Sequence, residues 1–491
     1  MKSKFSKVLS ILLSVVLVIS SFYLLYQVIR LNVLPSKFLF PLTIGVVVLD
    51  AIFILLLVYF SKNVVSKIVC IVLTLFICVA SCMGGYYISK TQNVLSNITN
   101  VAKHAKNTVS VIVKESSSIK NKSQLNGVSV GSLRLNEQGS KKALKELSNE
   151  GIVLNQTEYD SMTALLEAFY NGEVDSIIIN ESSRSQILDM EAYSNFDSNT
   201  RVVYQTTYKV KNNDSATSVS DITSKPFNVL ISGSDTRGGF DENGRSDVIM
   251  IATVNPKTHT ILLTSVPRDF YVTTACDAGD GCMQGALDKI THTGIHGTNT
   301  TKRTVEQLLG IEINYTFKVG FDTVTELVDV LGGVDVYVEP GYATTTSEFS
   351  VHEGVNHLNA QQALAFARER YSYTEGDRQR TKNQQQVLMG IVKEATKPSV
   401  ITNYAAIMDT MANTFSTTMS NEEITDLIKY QLNNNPTWKM EQYMVDGTGD
   451  TLMCAELGDA ASVMVPDQST VKMAKDKINA VLAGKSSEDV K

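Results

Sequence analysis

Three apolar runs fall within the first ninety positions, at residues 8–29, 38–59 and 64–87. Each has the roughly 20 consecutive apolar residues that a helix needs to cross a bilayer. They divide the chain into an embedded anchor and a much longer remainder that must fold in water. The first run does not read as a signal peptide, because two further spans follow it and no small-residue cleavage site is evident. Lys2, Lys4 and Lys7 favour a cytoplasmic start, and Lys62 and Lys67 fall in the second loop, on the same side. Arg30 and Lys37 oppose that assignment. Three crossings from an inside start put everything after about Lys90 on the outer face of the cell membrane, as a multi-pass protein. Asp50 lies in the middle of the second span. A carboxyl group is costly there, and with no basic partner for it in these spans, an interhelical hydrogen bond is expected.

The chain has 491 residues, more than one hydrophobic core normally organises, and a net charge of −6 that gives no sign of nucleic-acid binding. The expected division is an anchor over residues 1–90, an accessory α/β domain over 91–211, a polar linker over 212–225 and a main α/β domain over 226–491. In the accessory segment, strand-like stretches at 109–113, 128–131, 174–180 and 201–211 alternate with helical patterns at 140–149 and 160–172. Residues 484–491 read as a frayed tail. Cys70, Cys78 and Cys82 lie in the third span and read as packing residues. Cys276 and Cys282 flank a short Gly/Asp loop and form a candidate disulfide outside the cell.

The main domain opens with three strands, at residues 227–232, 248–254 and 259–266. The tight turn Asn255-Pro256-Lys257-Thr258 makes the second and third antiparallel neighbours. Arg268 then comes beside Asp247. If the first strand also runs antiparallel to the second, Asp235 reaches the same edge. Two carboxylates and an arginine at one sheet edge suit a divalent cation and a phosphorylated ligand. Farther on, Arg368, Arg370, Arg378 and Arg380 crowd into thirteen positions. The guanidinium fork fits phosphate oxygens. Arg380 and Gln384 are four apart and share a helix face, which Val387, Leu388 and Ile391 continue as an apolar length. The bland alternative is a solvated surface whose arginines pair with Glu369, Glu375 and Asp377. Asp377 also suits a helix N-cap. His292 and His296 are four apart, but Gly294 and Gly297 argue against a rigid helix that would make them a metal pair. Lys289 is a further candidate for a phosphate or sugar contact, and Trp438 and Tyr443 read as core residues.

Taken together, these regions resemble the LytR-CpsA-Psr family, in particular its CpsA-type members from streptococcal capsule loci. The resemblance is carried by Asp235-Thr-Arg, Gly244-Arg-Ser-Asp247, Ser265-Val-Pro-Arg-Asp269, Asp288-Lys-Ile290 and Gly320-Phe-Asp322. Leu331-Gly-Gly-Val-Asp335, Phe366-Ala-Arg368-x-Arg370 and Asp377-Arg-x-Arg380-x-x-x-Gln384 complete it. It implies an α/β/α domain with a mixed sheet and an apolar pocket for a lipid tail. The implied activity is a Mg²⁺-dependent phosphotransferase, with Mn²⁺ as an alternative ion. It would move a capsular or other wall glycopolymer from a polyprenyl-pyrophosphate carrier to peptidoglycan. Carried over by position, Asp235 and Asp247 hold the metal. Arg245, Arg268, Arg368, Arg370, Arg380 and Gln384 bind the pyrophosphate, with Arg268, Asp247, Arg368 and Arg370 acting in catalysis. Asp377 is a candidate base or orienting residue. The implied partners are the lipid-linked saccharide, peptidoglycan, membrane lipid and other capsule-assembly membrane proteins. Two other readings use the same residues: a membrane regulator that binds the lipid-linked ligand without turnover, and a pyrophosphatase that admits water in place of the wall hydroxyl.

Overall fold

The computed structural model of the protein describes residues 2–60, 63–99, 104–134, 137–234, 242–276, 281–397, 406–407, 410 and 415–490. It divides into two compact units. One comprises residues 1–99, 393–412 and 420–437. Its helices α1 (Lys2–Leu31), α2 (Ser36–Leu55, continued by a π-type turn over Leu56–Phe60) and α3 (Val64–Thr99) are long and apolar enough to cross a membrane. Phe22, Phe40 and Phe76 stand exposed on them. Outward-facing apolar residues of this kind mark a helix surrounded by lipid rather than water. Ser21 Oγ donates to Asp50 Oδ1 at 2.9 Å, the interhelical hydrogen bond expected of that carboxyl. The helix Asn421–Asn434 belongs to this unit. Thr99 Oγ1 at the end of α3 donates to Asn421 Oδ1 at 2.8 Å, and Lys37 Nζ at the start of α2 donates to the Asn433 carbonyl at 2.6 Å. The start of α2 and the end of α3 therefore share one side, as an up-down-up arrangement requires.

The second unit comprises residues 100–392, 413–419 and 438–491. It begins with β1 (His104–Lys114), β2 (Ser129–Leu133), α4 (Glu137–Asn149), β3 (Asn155–Tyr159), α5 (Met162–Asn171), β4 (Ser176–Asn180), α6 (Arg184–Asp189) and β5 (Thr200–Lys211). The five strands form one sheet in the order β3-β2-β4-β1-β5, with β2 parallel to β3 and β4, and β1 antiparallel to β4 and β5. The polar strand β3, Asn-Gln-Thr-Glu-Tyr, carries no apolar alternation and was not expected. The core of this sheet is closed by a distant segment. Cys454, Leu457 and Val463, from the hairpin of Gly447–Cys454 and Asp459–Pro466, pack with Ile112, Leu165, Phe169, Ile177 and Ile187.

The main sheet has six strands. β6 (Phe227–Ser234), β7 (Ser246–Asn255) and β8 (Thr260–Val266) form an antiparallel meander. Tyr315–Gly320 lies parallel to β6 on one flank, followed by Phe415–Thr417, and Lys439–Met444 lies parallel to β8 on the other. Leu230, Ile249, Ile251 and Leu262 pack on Val305 and Leu309 of the helix Thr298–Leu309 and on Val471, Ile478 and Val481 of the C-terminal helix Gln468–Leu482. The basic helix Asp377–Ala395 lies on the opposite face, completing the α/β/α layering. Its Gln385 Nε2 donates to the Leu263 and Tyr443 carbonyls, at 3.3 and 2.9 Å, and so pins the helix across β8 and its neighbour. Gly390 lets the same helix approach the strand Val334–Val338, because a Cβ there would stand 2.7 Å from the Asp335 carbonyl.

Residues 484–490 are not a frayed tail. Ser486 Oγ and the Ser487 N–H each donate to Glu441 at 2.8 Å, and Lys477 Nζ donates to the Ser487 carbonyl at 2.6 Å. A short polar sequence carries no sign of these partners, which come from the last strand and helix. Cys276 and Cys282 are joined as a disulfide.

Candidate functional site

The register of the meander builds the site. Ile249 pairs with Val266, so Asp247, two residues before the one, faces Arg268, two residues after the other. Arg268 Nη1 donates to Asp247 Oδ1 at 2.9 Å. β6 ends at Ser234, which pairs with Ser246 across a bulge at Gly233/Ser234. The expected antiparallel pairing of β6 is therefore present. Asp235 itself lies outside the described residues.

Beneath this edge sits the irregular segment Ile290–His296. Thr291 Oγ1 lies 3.3 Å from Asp247 Oδ1, and the Thr291 N–H donates to the Arg268 carbonyl at 3.0 Å. Ser246 Oγ hydrogen-bonds to Ser232 Oγ at 2.9 Å and to Thr301 Oγ1 at 3.0 Å, so buried hydroxyls tie the start of β7 to its surroundings. Only glycine fits at 294, where a Cβ would stand 2.5 Å from the Gly244 carbonyl and 2.6 Å from the Ser246 nitrogen.

The basic helix supplies the other wall. Asp377, Arg380, Thr381 and Gln384 recur at helical spacing and line, with Asp247, Arg268, Ser265, Val248 and Met250, a cleft of about 220 Å³. The cleft is small, and the surface it exposes is polar. Arg380 Nη2 lies 2.5 Å from Asp377 Oδ1.

Charge is unevenly satisfied. Burial pushes the Arg268 guanidinium towards neutrality, but the carboxylates of Asp247 and Asp269 outweigh it and hold Arg268 above its ordinary value. Arg380 is shifted the other way. Burial lowers its value, and Arg268 and Arg370 lower it further, against the pull of Asp377 and Asp247. The Nε atoms of both Arg268 and Arg380 are buried without a hydrogen-bond partner. Unsatisfied, charged donors beside a cleft are what an anionic ligand would satisfy.

The structure sorts the remaining sequence-derived candidates. Arg245 is buried beside Asp247: its Nη1 pairs with Asp189, and its Nη2 lies 3.7 Å from Asp247 Oδ2. Lys289 Nζ lies 3.2 Å from Asp269 Oδ1, beside Arg268. Arg370 Nη2 donates to the Tyr371 hydroxyl at 2.7 Å, and its guanidinium stacks 4.8 Å from that ring. Arg368 stands exposed at the end of the helix Ala360–Arg368 and is not part of the cleft wall. His292 and His296 do not form a metal pair. His292 Nδ1 lies 2.7 Å from Asp288 Oδ1, and His296 Nε2 lies 2.9 Å from Glu456 Oε2. Burial raises the Asp288 carboxyl, but its bonds to His292 and backbone N–H groups leave it net below the usual range. Among the described residues no group of three or more His, Cys, Asp or Glu is arranged to hold a metal. Two contributors escaped the sequence reading. Thr291 sits between motifs with nothing to mark it, and Asp189 comes from the accessory sheet.

A model of the LytR_cpsA_psr family matches residues 192–480. The polyisoprenyl-teichoic acid–peptidoglycan teichoic acid transferase TagU of Bacillus cereus is 32% identical over 240 residues, which cover 48% of this chain and 75% of that protein. TagU of Bacillus subtilis is 32% identical over 226 residues, covering 46% and 70%. The crystal structure of B. subtilis TagU aligns with a TM-score of 0.41 at 28% identity, covering 52% of this chain and 97% of that one. Protein gbs0355 of Streptococcus agalactiae aligns with a TM-score of 0.45 at 25% identity, covering 53% and 89%.

Proposed function

The chain belongs to the LytR_cpsA_psr family, and from that premise we propose that it transfers a glycopolymer from a polyprenyl-pyrophosphate carrier to peptidoglycan. A phosphodiester forms between the polymer and the wall hydroxyl. The wall oxygen attacks the phosphorus that carries the polymer and gives up its proton, the P–O bond to the bridging oxygen of the pyrophosphate breaks, and that oxygen leaves as part of polyprenyl phosphate. The observation that carries this reading is the cleft itself. Arg268 and Arg380 both line it, one from the sheet edge and the other from the basic helix, and the Nε atom of each is buried without a hydrogen-bond partner.

Phosphoryl transfer needs little covalent chemistry from protein; it needs charge neutralisation and in-line positioning. In this reading Arg268 and Arg380 hold the phosphate oxygens and Gln384 hydrogen-bonds to them. Asp377, engaged by Arg380, orients that arginine. Lys289 and Asp269 flank Arg268 and keep its guanidinium at the edge. Mg²⁺ would be held by Asp247 together with Asp235. The donor chemistry at Asp247 fits, because this ion takes one or two protein carboxylates and completes its shell with phosphates and water. Such an ion would neutralise charge on the pyrophosphate. The three apolar helices hold the protein at the bilayer, where a polyprenyl carrier resides, and the reading puts the cleft on the outer face. A capsular polysaccharide is the proposed polymer, and other capsule-assembly membrane proteins are proposed neighbours.

The test uses the full chain in lipid nanodiscs, with a polyprenyl-pyrophosphate-linked saccharide, Mg²⁺ and a peptidoglycan acceptor, both products being followed by mass spectrometry. Saccharide phosphate joined to the acceptor is the expected result. Polyprenyl phosphate without acceptor linkage would replace transfer by hydrolysis. Tight binding without turnover would make the protein a sensor.

A further inference from the structure

The accessory sheet reaches the phosphate edge at two places. Glu242, the first described residue after β6, is buried and accepts from Thr108 Oγ1 of β1, and Lys106 of β1 forms a bridge with it. The second contact is the pairing of Asp189, the last residue of α6, with the buried Arg245. Arg245 in turn lies beside Asp247, which holds Arg268. An unbroken series of charged contacts thus runs from the accessory sheet to the arginine at the cleft.

The far end of that series is rigidly mounted. Arg184, at the start of α6, is buried. Its Nε and Nη2 bind both oxygens of Glu181, at 2.6 and 2.8 Å, and its Nη1 binds Asp197 at 2.9 Å. Glu181 also accepts from Ser110 Oγ of β1. Ile187, one turn along α6, is fully buried in the core that the 447–466 hairpin completes. One strand, β1, therefore anchors both contacts. Asp189 itself stands at the C-terminal end of a short helix, where a carboxylate meets the negative end of the backbone dipoles. It gains nothing locally from that position; its counterpart is Arg245.

We propose that Asp189 is a positioning residue for the phosphate site, supplied by the accessory sheet. It holds one arm of Arg245, so that the other arm steadies Asp247 in the orientation that presents Arg268 to the cleft. Without it, the balance of contacts on the Arg245 guanidinium shifts towards Asp247 and draws that carboxylate away from Arg268. The proposal rests on the transfer reading above. It gives the accessory sheet a defined part in the reaction, as a support for the catalytic edge.

The test compares Asp189→Ala, Asp189→Glu, Arg245→Ala and the double variant, as full chains in nanodiscs. Release of polyprenyl phosphate gives kcat and KM, and a short-chain polyprenyl pyrophosphate serves as the binding probe. Arg201→Ala is the control for general loosening, because it breaks a pair with Glu115 elsewhere in the same sheet. Asp189→Ala is expected to lower kcat/KM about tenfold, the lower end of what supporting partners of site ligands contribute. Asp189→Glu should recover most of that loss, and the double variant should be no worse than Arg245→Ala, since one residue acts through the other. Unchanged kinetics in Asp189→Ala, a full additive loss in the double variant, or an equal loss in Arg201→Ala would each overturn the proposal. Increased turnover would overturn it too, by making Asp189 a brake. These results leave the transfer reading standing, whereas a wild type that neither binds the probe nor turns over removes both.

Discussion

Replacing Arg268 by alanine separates folding from catalysis at this site. Removing one member of a buried ion pair ordinarily costs ~3–5 kcal/mol, because the other is left buried and uncompensated. Here both partners keep substitutes. Asp247 retains Arg245 at 3.7 Å and Thr291 at 3.3 Å, and Asp269 retains Lys289 at 3.2 Å. The change also relieves Arg380 of one repulsive neighbour. The expected loss of stability is therefore about 1–2 kcal/mol, a fall of roughly 2–8 °C in melting temperature at ~2–4 °C per kcal/mol. Turnover should fall far more, by about 10²–10³-fold, the usual effect of removing a preorganised donor to developing charge. Arg268→Lys keeps the charge but loses the planar fork, and should fall between the two. Differential scanning fluorimetry and polyprenyl phosphate release, on the same nanodisc preparations, measure both quantities. Turnover within threefold of wild type would remove Arg268 from the site. A melting temperature lowered by much more than this range would show that the compensation worked out above does not operate.

Two further outcomes follow from groups outside the cleft. Denatured full chain should expose four thiols to alkylation without reductant and six with it, since Cys276 and Cys282 are bridged and Cys70, Cys78, Cys82 and Cys454 are free. Replacing both bridged cysteines with serine should cost about 2 kcal/mol of stability, as expected for a short closed loop, and six reactive thiols without reductant would refute the bridge. Burial pushes Glu441 up, but Lys439, Ser487 and Ser486 outweigh it and hold the carboxyl at about 2, against 4.5 in isolation. A folded value below the unfolded one stabilises the protein above about pH 4.5 and loses that contribution as pH falls towards 2. Protection factors for hydrogen exchange at residues 486–490 should fall over that window, and Glu441→Gln should lower them at neutral pH. Unchanged protection at pH 3 would separate the tail from Glu441.

The parts of the site that the sequence displays are those set by local rules. A four-residue turn fixes the pairing of β7 with β8, and that alone brings Asp247 to Arg268. Helical spacing puts Arg380 and Gln384 on one face, and the structure adds Asp377 and Thr381 to it. Arg245 shows the limit of this reading. It lies two positions from Asp247, but nothing local marks its ion-pair partner Asp189, 56 positions away. The basic helix hides a second feature. Gln379, Thr381, Asn383 and Gln385 are buried in it, and their side-chain amides and the Thr381 hydroxyl bind backbone carbonyls or each other. Apolar periodicity finds only Val387, Leu388 and Ile391 there, because a buried polar side chain is legible only once its partner is known. The hairpin that closes the accessory core likewise belongs, in space, to a sheet that ends more than two hundred residues earlier.

The arginine cluster carries its own argument about order of assembly. Arg268, Arg370 and Arg380 are close enough that each disfavours the charge on the last, and burial adds to the penalty. Folding alone would not gather such a set, because like charges in a partly buried cleft oppose the compact state. They are held together by contacts made on their outer sides. Asp247 and Asp269 hold Arg268, Tyr371 holds Arg370 and Asp377 holds Arg380. The Nε atoms of Arg268 and Arg380 still lack a hydrogen-bond partner. An anion entering the cleft meets donors already in place, so little reorganisation remains to be done when charge develops on the transferred phosphoryl group. The same layout explains why the supporting residues come from so many elements. Each arginine needs a partner behind it, and the first two strands of the edge need one from the accessory sheet.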